Sequence, residues 1–255
     1  MQQKNVFITA LDKNEQIIQQ VYATVKKYGM NAVGHFWNYD EPELTKKIPG
    51  REFEVADAWV IIVNDQQIPP EVMFGLSVMG LILRLRAKYR VPVLVVGKEQ
   101  HLSEVFKDVE FFSVDNFGTK LVSKTAIKKQ WSDYGFNISV HNQTGIGLWF
   151  EIGPNAETEW NGVFLGVDTC LDGYIDFQAV GPAGAMPERT TLNYPFKDAK
   201  LELNGKEYTA WGCSNVLKKG DSFYVRIKGS IPSIIIGEGL GDGDSTECRV
   251  FRLMV

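Results

Sequence analysis

The sequence predicts an α/β domain followed by an all-β domain. The first is a doubly wound parallel five-stranded sheet over residues 1–135, and the second is an antiparallel β-sandwich over residues 136–255. Three observations carry this. Two short, continuously apolar runs, Ala58–Val63 and Val91–Val96, are joined by a long apolar helix, the pattern of parallel strands buried on both faces. Strand-like and helix-like stretches alternate before Tyr134-Gly135. After that point only short strands remain, spaced by turn signals.

In chain order, Asn5–Leu11 reads as the first strand. Asn14–Tyr28 reads as an amphipathic helix with Ile17, Ile18, Val21 and Val25 on one face, ended by Gly29. Asn31–Trp37 is the second strand. Glu41–Glu54 is a polar helix broken at Pro49-Gly50. The strands at Ala58 and Val91 flank the apolar helix, which begins after Pro69-Pro70. A short helix over Leu102–Phe106, a strand over Glu110–Val114 and a helix over Thr119–Trp131 close the first domain. In the second half, strands are expected at 136–140, 147–152, 162–167, 174–180, 199–203, 222–227, 233–236 and 248–254. Turns fall at Gly153-Pro154, Asp172-Gly173, Gly181-Pro182, Asn204-Gly205 and Lys219-Gly220-Asp221. That rhythm implies a sandwich or barrel.

Composition narrows the function. The first 135 residues are nearly balanced in charge while the rest is acidic, with a net charge of -4 overall, which excludes a broad nucleic-acid groove. The apolar stretch Val72–Leu83 stops at Arg84 and Arg86, short of a membrane span. The amino terminus carries no charged-then-apolar leader, so a cytoplasmic protein is expected. The three cysteines, Cys170, Cys213 and Cys248, then read as free thiols. No phosphate loop, dinucleotide glycine fingerprint, zinc spacing or nucleophile elbow is present, and no cofactor is implied. His35, His101 and His141 are scattered, and Gly239–Ser245 lacks the full spacing of a calcium loop.

In an open parallel sheet, ligands sit beyond the carboxyl ends of the strands. Asp12, Trp37 to Tyr39, Asn64-Asp65 and Gly97-Lys98 fall on that edge. The run Ala56-Asp57, the strand Trp59–Val63, the switch Asn64-Asp65 and the helix start Pro70-Glu-Val-Met-Phe74 resemble the TIR-like and nucleoside 2-deoxyribosyltransferase-like Rossmannoid superfamily, over about residues 4–130. That resemblance implies a flavodoxin-like sheet and a nucleotide ligand such as NAD. A helix carboxylate would then cleave the N-glycosidic bond. Where the family carries its Glu, this chain has Gly75, and the nearest acid is Glu71, one turn earlier on the same helix face.

Two readings follow. In the first, Glu71 is the catalytic carboxylate, Asp12, Asn64 and Asp65 hold the ribose, and Trp37 or Tyr39 stacks on the base. In the second, the site is lost and the chain is a non-catalytic signalling or assembly module whose sandwich binds a partner or ligand. Each residue also has a purely structural role open to it. Glu71 favours the helix dipole, Asp12 caps, Asp65 makes an Asx turn, and Trp37 and Tyr39 pack. The helix Val72–Leu85 is apolar almost all round, so either a large core or a partner covers it, and self-association through it is expected.

Overall fold

The computed structural model describes residues 3–11, 13–41, 44–63, 67–86, 90–97, 102, 106, 109–127, 136–143, 147–154, 159–239 and 248–253. The chain divides into two compact units, Met1–Trp131 and Ser132–Val255.

The first unit is a parallel sheet of β1 (Asn5–Ala10), β2 (Asn31–Phe36), β3 (Ala58–Ile62), β4 (Val93–Val96) and β5 (Glu110–Phe112), in the order β2-β1-β3-β4-β5. This is the flavodoxin order, and strand direction of growth reverses between β1 and β3. Every residue of β3 is buried, so helices must cover both faces. On one face, Val6, Ile8, Ala10, Val60 and Ile62 pack with α1 (Glu15–Lys27) and α5 (Val114–Ala126) through Val21, Val25, Phe117 and Leu121. The Asn14 side chain caps α1 by accepting the Ile17 N–H at 3.3 Å, and Gly29 ends it with φ of 72°.

The other face meets α2 (Leu44–Lys47), α3 (Arg51–Glu54) and α4 (Pro70–Arg86). Here rings follow one another in a row. His35, Phe7, Phe53, Trp59 and Phe106 stand at centroid separations of 5.3, 5.1, 5.2 and 5.4 Å, three of the four contacts edge to face. The buried Trp59 indole donates to the Thr9 hydroxyl at 2.9 Å, which removes the cost of hiding both groups. His35 differs, since neither ring nitrogen has a partner, and burial pushes its pKa down to about 4.

One element limit departs from expectation. The last helix of the unit begins at Val114 rather than Thr119, because Ser113 adopts an extended cap conformation and Asp115 suits the first turn. The polar stretch 41–54 forms two single-turn helices on either side of the expected break at Pro49-Gly50.

The second unit holds two antiparallel sheets. One has the order β6-β7-β12-β9, formed by β6 (Phe136–Gln143), β7 (Gly147–Pro154), β12 (Asp221–Lys228) and β9 (Tyr174–Pro182). The other has the order β10-β11-β8-β13-β14, formed by β10 (Phe196–Leu203), β11 (Lys206–Leu217), β8 (Trp160–Asp168), β13 (Ser233–Glu238) and β14 (Cys248–Arg252). Phe136 of the first sheet packs edge to face on Trp160 and Phe251 of the second, as expected for a sandwich. Strand β11 is an addition to the expected set. It pairs with β10 through the Asn204-Gly205 turn, whose φ angles of 52° and 73° suit a two-residue hairpin. Its sequence hides it, since Gly212-Cys-Ser-Asn215 breaks the alternation where the register shifts between Cys213 and Val216.

An unfolded histidine takes up its proton around pH 6.5, so as pH falls from there toward 4 the unfolded chain binds more protons and the native state weakens. The loss attributable to His35 approaches about 3 kcal/mol. Denaturant titrations at neutral and mildly acidic pH should show this loss, and His35→Phe should flatten it.

Candidate functional site

The carboxyl edge of the parallel sheet is built by the residues that extend its strands. Leu11 N–H donates to the Ile62 carbonyl at 2.9 Å, Trp37 N–H to Ala10 at 2.9 Å, and Val63 N–H to Val96 at 3.0 Å. Asp12, Asn64 and Asp65 lie outside the described residues, as do Lys98 and His101. Of the expected site, Trp37, Tyr39 and Glu71 can therefore be placed.

Trp37 does not stand open to stack on a base. Only 2% of it is exposed, and its ring lies against Gly75 of α4 and Leu44 of α2. A Cβ at position 75 would sit 2.1 Å from the Trp37 Cη2 and 2.8 Å from the Leu44 Cδ1. Glycine at residue 75 is thus a steric requirement, because the indole fills the space where a side chain there would project. The indole N–H has no hydrogen-bond partner. Tyr39 is half exposed, and its hydroxyl donates to the Leu11 carbonyl at 3.3 Å, tying the second loop to the first.

Glu71 is exposed in the first turn of α4, where Pro69 accepts the N–H groups of Val72 and Met73 at 3.0 Å each. An acid there suits the helix dipole. Beyond it, Val72, Phe74, Leu76, Val78, Met79, Leu81, Ile82 and Leu83 of α4 are all buried. Among its described residues, little apolar surface is left for a second copy.

A second constellation lies on the sandwich. Strand alternation places His141 of β6, Trp149 and Glu151 of β7, Ser222, Tyr224 and Arg226 of β12, and Phe177 and Ala179 of β9 on one face of the four-stranded sheet. The opposite face carries Phe150, Ile152, Phe223 and Val225 into the core. Glu151 is buried and fully engaged. One oxygen accepts the Gly184 N–H at 2.6 Å and the Ser222 hydroxyl at 2.9 Å, and the other lies 2.5 Å from His141 Nε2. Burial alone would raise its pKa, but the hydrogen bonds from His141, Gly184 and Ser222 outweigh that and pull it down to about 2.

Tyr224 completes the clasp, accepting the Ala185 N–H at 3.1 Å and donating to the Pro182 carbonyl. Burial, together with the neighbouring Glu151 charge, pushes its pKa up to about 12. The segment after β9 is thereby strapped to the sheet. Beside the clasp, the Arg226 guanidinium lies 5.1 Å from the Trp149 ring and 5.7 Å from the Phe177 ring, and its Nε–H donates to Asp176 at 2.7 Å. Phe177 and Tyr174 are exposed here. The signal available in the sequence was a carboxylate inside the otherwise apolar run Leu148–Ile152. The glycosylation-like Asn142 to Thr144 pattern ends outside the described residues.

A further network joins β8, β11 and β13. Asp168 accepts from Ser233 at 3.2 Å and Lys206 at 3.3 Å, and Ser233 in turn meets the Tyr208 hydroxyl at 3.1 Å. Its buried members make it a structural lock. Among the described residues, no group of three or more His, Cys, Asp or Glu side chains is arranged to hold a metal, and no helix is long and apolar enough to cross a membrane.

Fold and sites together define a two-unit chain, an α/β unit of flavodoxin topology and an antiparallel β-sandwich. No family model and no curated relative matches it. Among solved structures, it is similar to a fungal multi-domain GH3 β-N-acetylglucosaminidase whose description names a GCN5-related glucosamine N-acetyltransferase region. The identity is 15%, with 55% of this chain and 18% of that chain covered, at a TM-score of 0.33. It is also similar to ChBD3 from Thermococcus kodakarensis KOD1, at 10% identity over 40% of this chain and 83% of that one, with a TM-score of 0.23. Likenesses at this level carry no functional argument.

Three substitutions test these sites. Gly75→Ala should destabilise the first unit by about 2 kcal/mol through overpacking, and in a Trp37→Gly background the same change should cost much less, read as the coupling in a double-mutant cycle by denaturant melts. Glu151→Ala leaves the Gly184 N–H and Ser222 hydroxyl without their acceptor. It should cost about 1–3 kcal/mol and speed hydrogen exchange at the Gly184 amide, measured by NMR.

Proposed function

We propose that this chain is a non-catalytic signalling or assembly module, in which the α/β unit is a rigid platform and the sandwich carries the contact with a partner or ligand. The observation that carries this reading is the Trp37 indole seated on Gly75, in the space a helix carboxylate needs. Glu71, the substitute acid, is exposed on the first turn of α4. A nucleophile or electrostatic stabiliser works best when desolvated and held beside the reacting centre. On the sandwich, the strapped face offers exposed Phe177 and Tyr174 beside Arg226, aromatic and guanidinium groups of the kind that anchor interfaces.

The test is direct. Purified protein is incubated with NAD and with purine and pyrimidine nucleosides, beside Glu71→Gln, across a range of protein concentrations, and base release is followed by chromatography. Neither protein should turn over any of them. Release by the unmodified chain that disappears in Glu71→Gln would overturn the proposal and restore the N-glycosidase reading.

A further inference from the structure

Strand β2 forms one edge of the parallel sheet, with β1 as its strand neighbour. The Asn31 and Trp37 N–H groups donate to the Lys4 and Ala10 carbonyls at 2.8 and 2.9 Å, and hydrogen-bond direction alternates along a strand. Ala32, Gly34 and Phe36 therefore turn their N–H and C=O groups away from the sheet. Ala32 is buried, but Gly34 is exposed and Phe36 is 51% exposed. Among the described residues, no hydrogen bond reaches the outward groups of Gly34 and Phe36.

Edge strands are ordinarily guarded against further pairing by charge, proline, a bulge or short length. Such guards are present elsewhere in this chain. Strand β5 has 3 residues, β10 carries a register shift together with Lys197, Asp198, Lys200 and Glu202, and β14 exposes Arg249 and Arg252. At β9, the Thr190 hydroxyl meets both the N–H and the carbonyl of Val180. Strand β2 has 6 residues in an unbroken register, none of them charged or proline.

The two ends of β2 differ in charge. Lys26 and Lys27, in the last turn of α1, lie at its amino end, where the Lys26 ammonium donates to the Asn31 side chain at 3.3 Å. Exposed Asp40 follows its carboxyl end. None of these three has an ion-pair partner among the described residues. The other described charges beyond the carboxyl end are engaged, Glu41 with Lys46, and Lys47 over the buried Trp37 ring.

We infer that β2 pairs antiparallel with β2 of a second copy of this chain, joining two parallel sheets edge to edge across a two-fold axis at His35. In that register Gly34 of each copy exchanges hydrogen bonds with Phe36 of the other. Each exposed ring then covers a glycine across the strand pair, an arrangement that suits an edge glycine. Antiparallel sense also sets Lys26 and Lys27 of one copy beside Asp40 of the other, whereas parallel sense would set like ends together. The inference is independent of the partner contact proposed for the sandwich and of the lost catalytic site.

The full chain is taken from about 1 μM to about 1 mM, its mass followed by sedimentation velocity and its amide exchange by NMR. It should dimerise with a dissociation constant of about 0.5 mM or tighter. The Gly34 and Phe36 amides should exchange freely when dilute and at least about twofold more slowly at the highest concentration. Phe36→Lys, at a half-exposed position, should weaken the dimer about tenfold or more. Asp40→Lys should weaken it about fivefold at low salt, and Lys26→Glu added to it should restore part of that. A chain still mostly monomeric at about 1 mM overturns the proposal. So does a dimer whose Gly34 and Phe36 amides stay unprotected, or an affinity unchanged by Phe36→Lys or by Asp40→Lys.

Discussion

Burial of β3 on both faces is the constraint on which the amino-terminal unit depends. Ala58, Trp59, Val60, Ile61 and Ile62 are fully buried, and so many apolar side chains can be hidden only if helices cover the sheet above and below. One face is met by α1 and α5 through mainly aliphatic side chains, with Phe117 among them. The other is met by aromatic rings, and there the strand needs a polar solution as well, which Thr9 supplies to the Trp59 indole. His35 ends the same row half-buried, its ring nitrogens hidden without a partner, so a device for packing is also a source of acid sensitivity.

The Trp37 and Gly75 contact shows how a small change of residue type decides what an edge can do. The strand order places a crevice beyond β1 and β3, where such folds hold ligands. In this chain the first turn after β2 returns a large ring to α4, and the helix accommodates it only because residue 75 has no Cβ. The indole and the carboxylate are alternatives for one volume. Here the indole takes that volume, and Tyr39 ties its loop to the Leu11 carbonyl.

In the sandwich, chemistry concentrates where a charge is buried on the face away from the core. Glu151 is held ionised by donors from β6, β12 and the strap after β9, so that three separate segments share one carboxylate. Such a clasp fixes the strap and, beside it, the Arg226, Trp149 and Phe177 stack. Rigid aromatic and guanidinium groups lose little entropy on meeting a partner, which is why this face, rather than the polar hairpin β10-β11, carries the proposed contact.

Much of the fold was legible because periodicity and turn chemistry are local. The apolar runs at Ala58 and Val91, the Gly29 stop and the Asn204-Gly205 turn each declare themselves within a few residues, whereas the cap of the first helix was expected at Asp12 and falls at Asn14. Strand β11 was not legible, because its bulge breaks the alternation and its place is set by β8 and β10 on either side. The candidate site was less legible still. Sequence alone determined that the first half winds as an α/β layer and that residue 75 is glycine. Only the tertiary structure decided that the glycine exists to receive the indole and that Glu151 gathers its donors from β6, β12 and the strap. Packing and hydrogen bonding between segments distant in sequence depend on volumes and directions that no local pattern encodes.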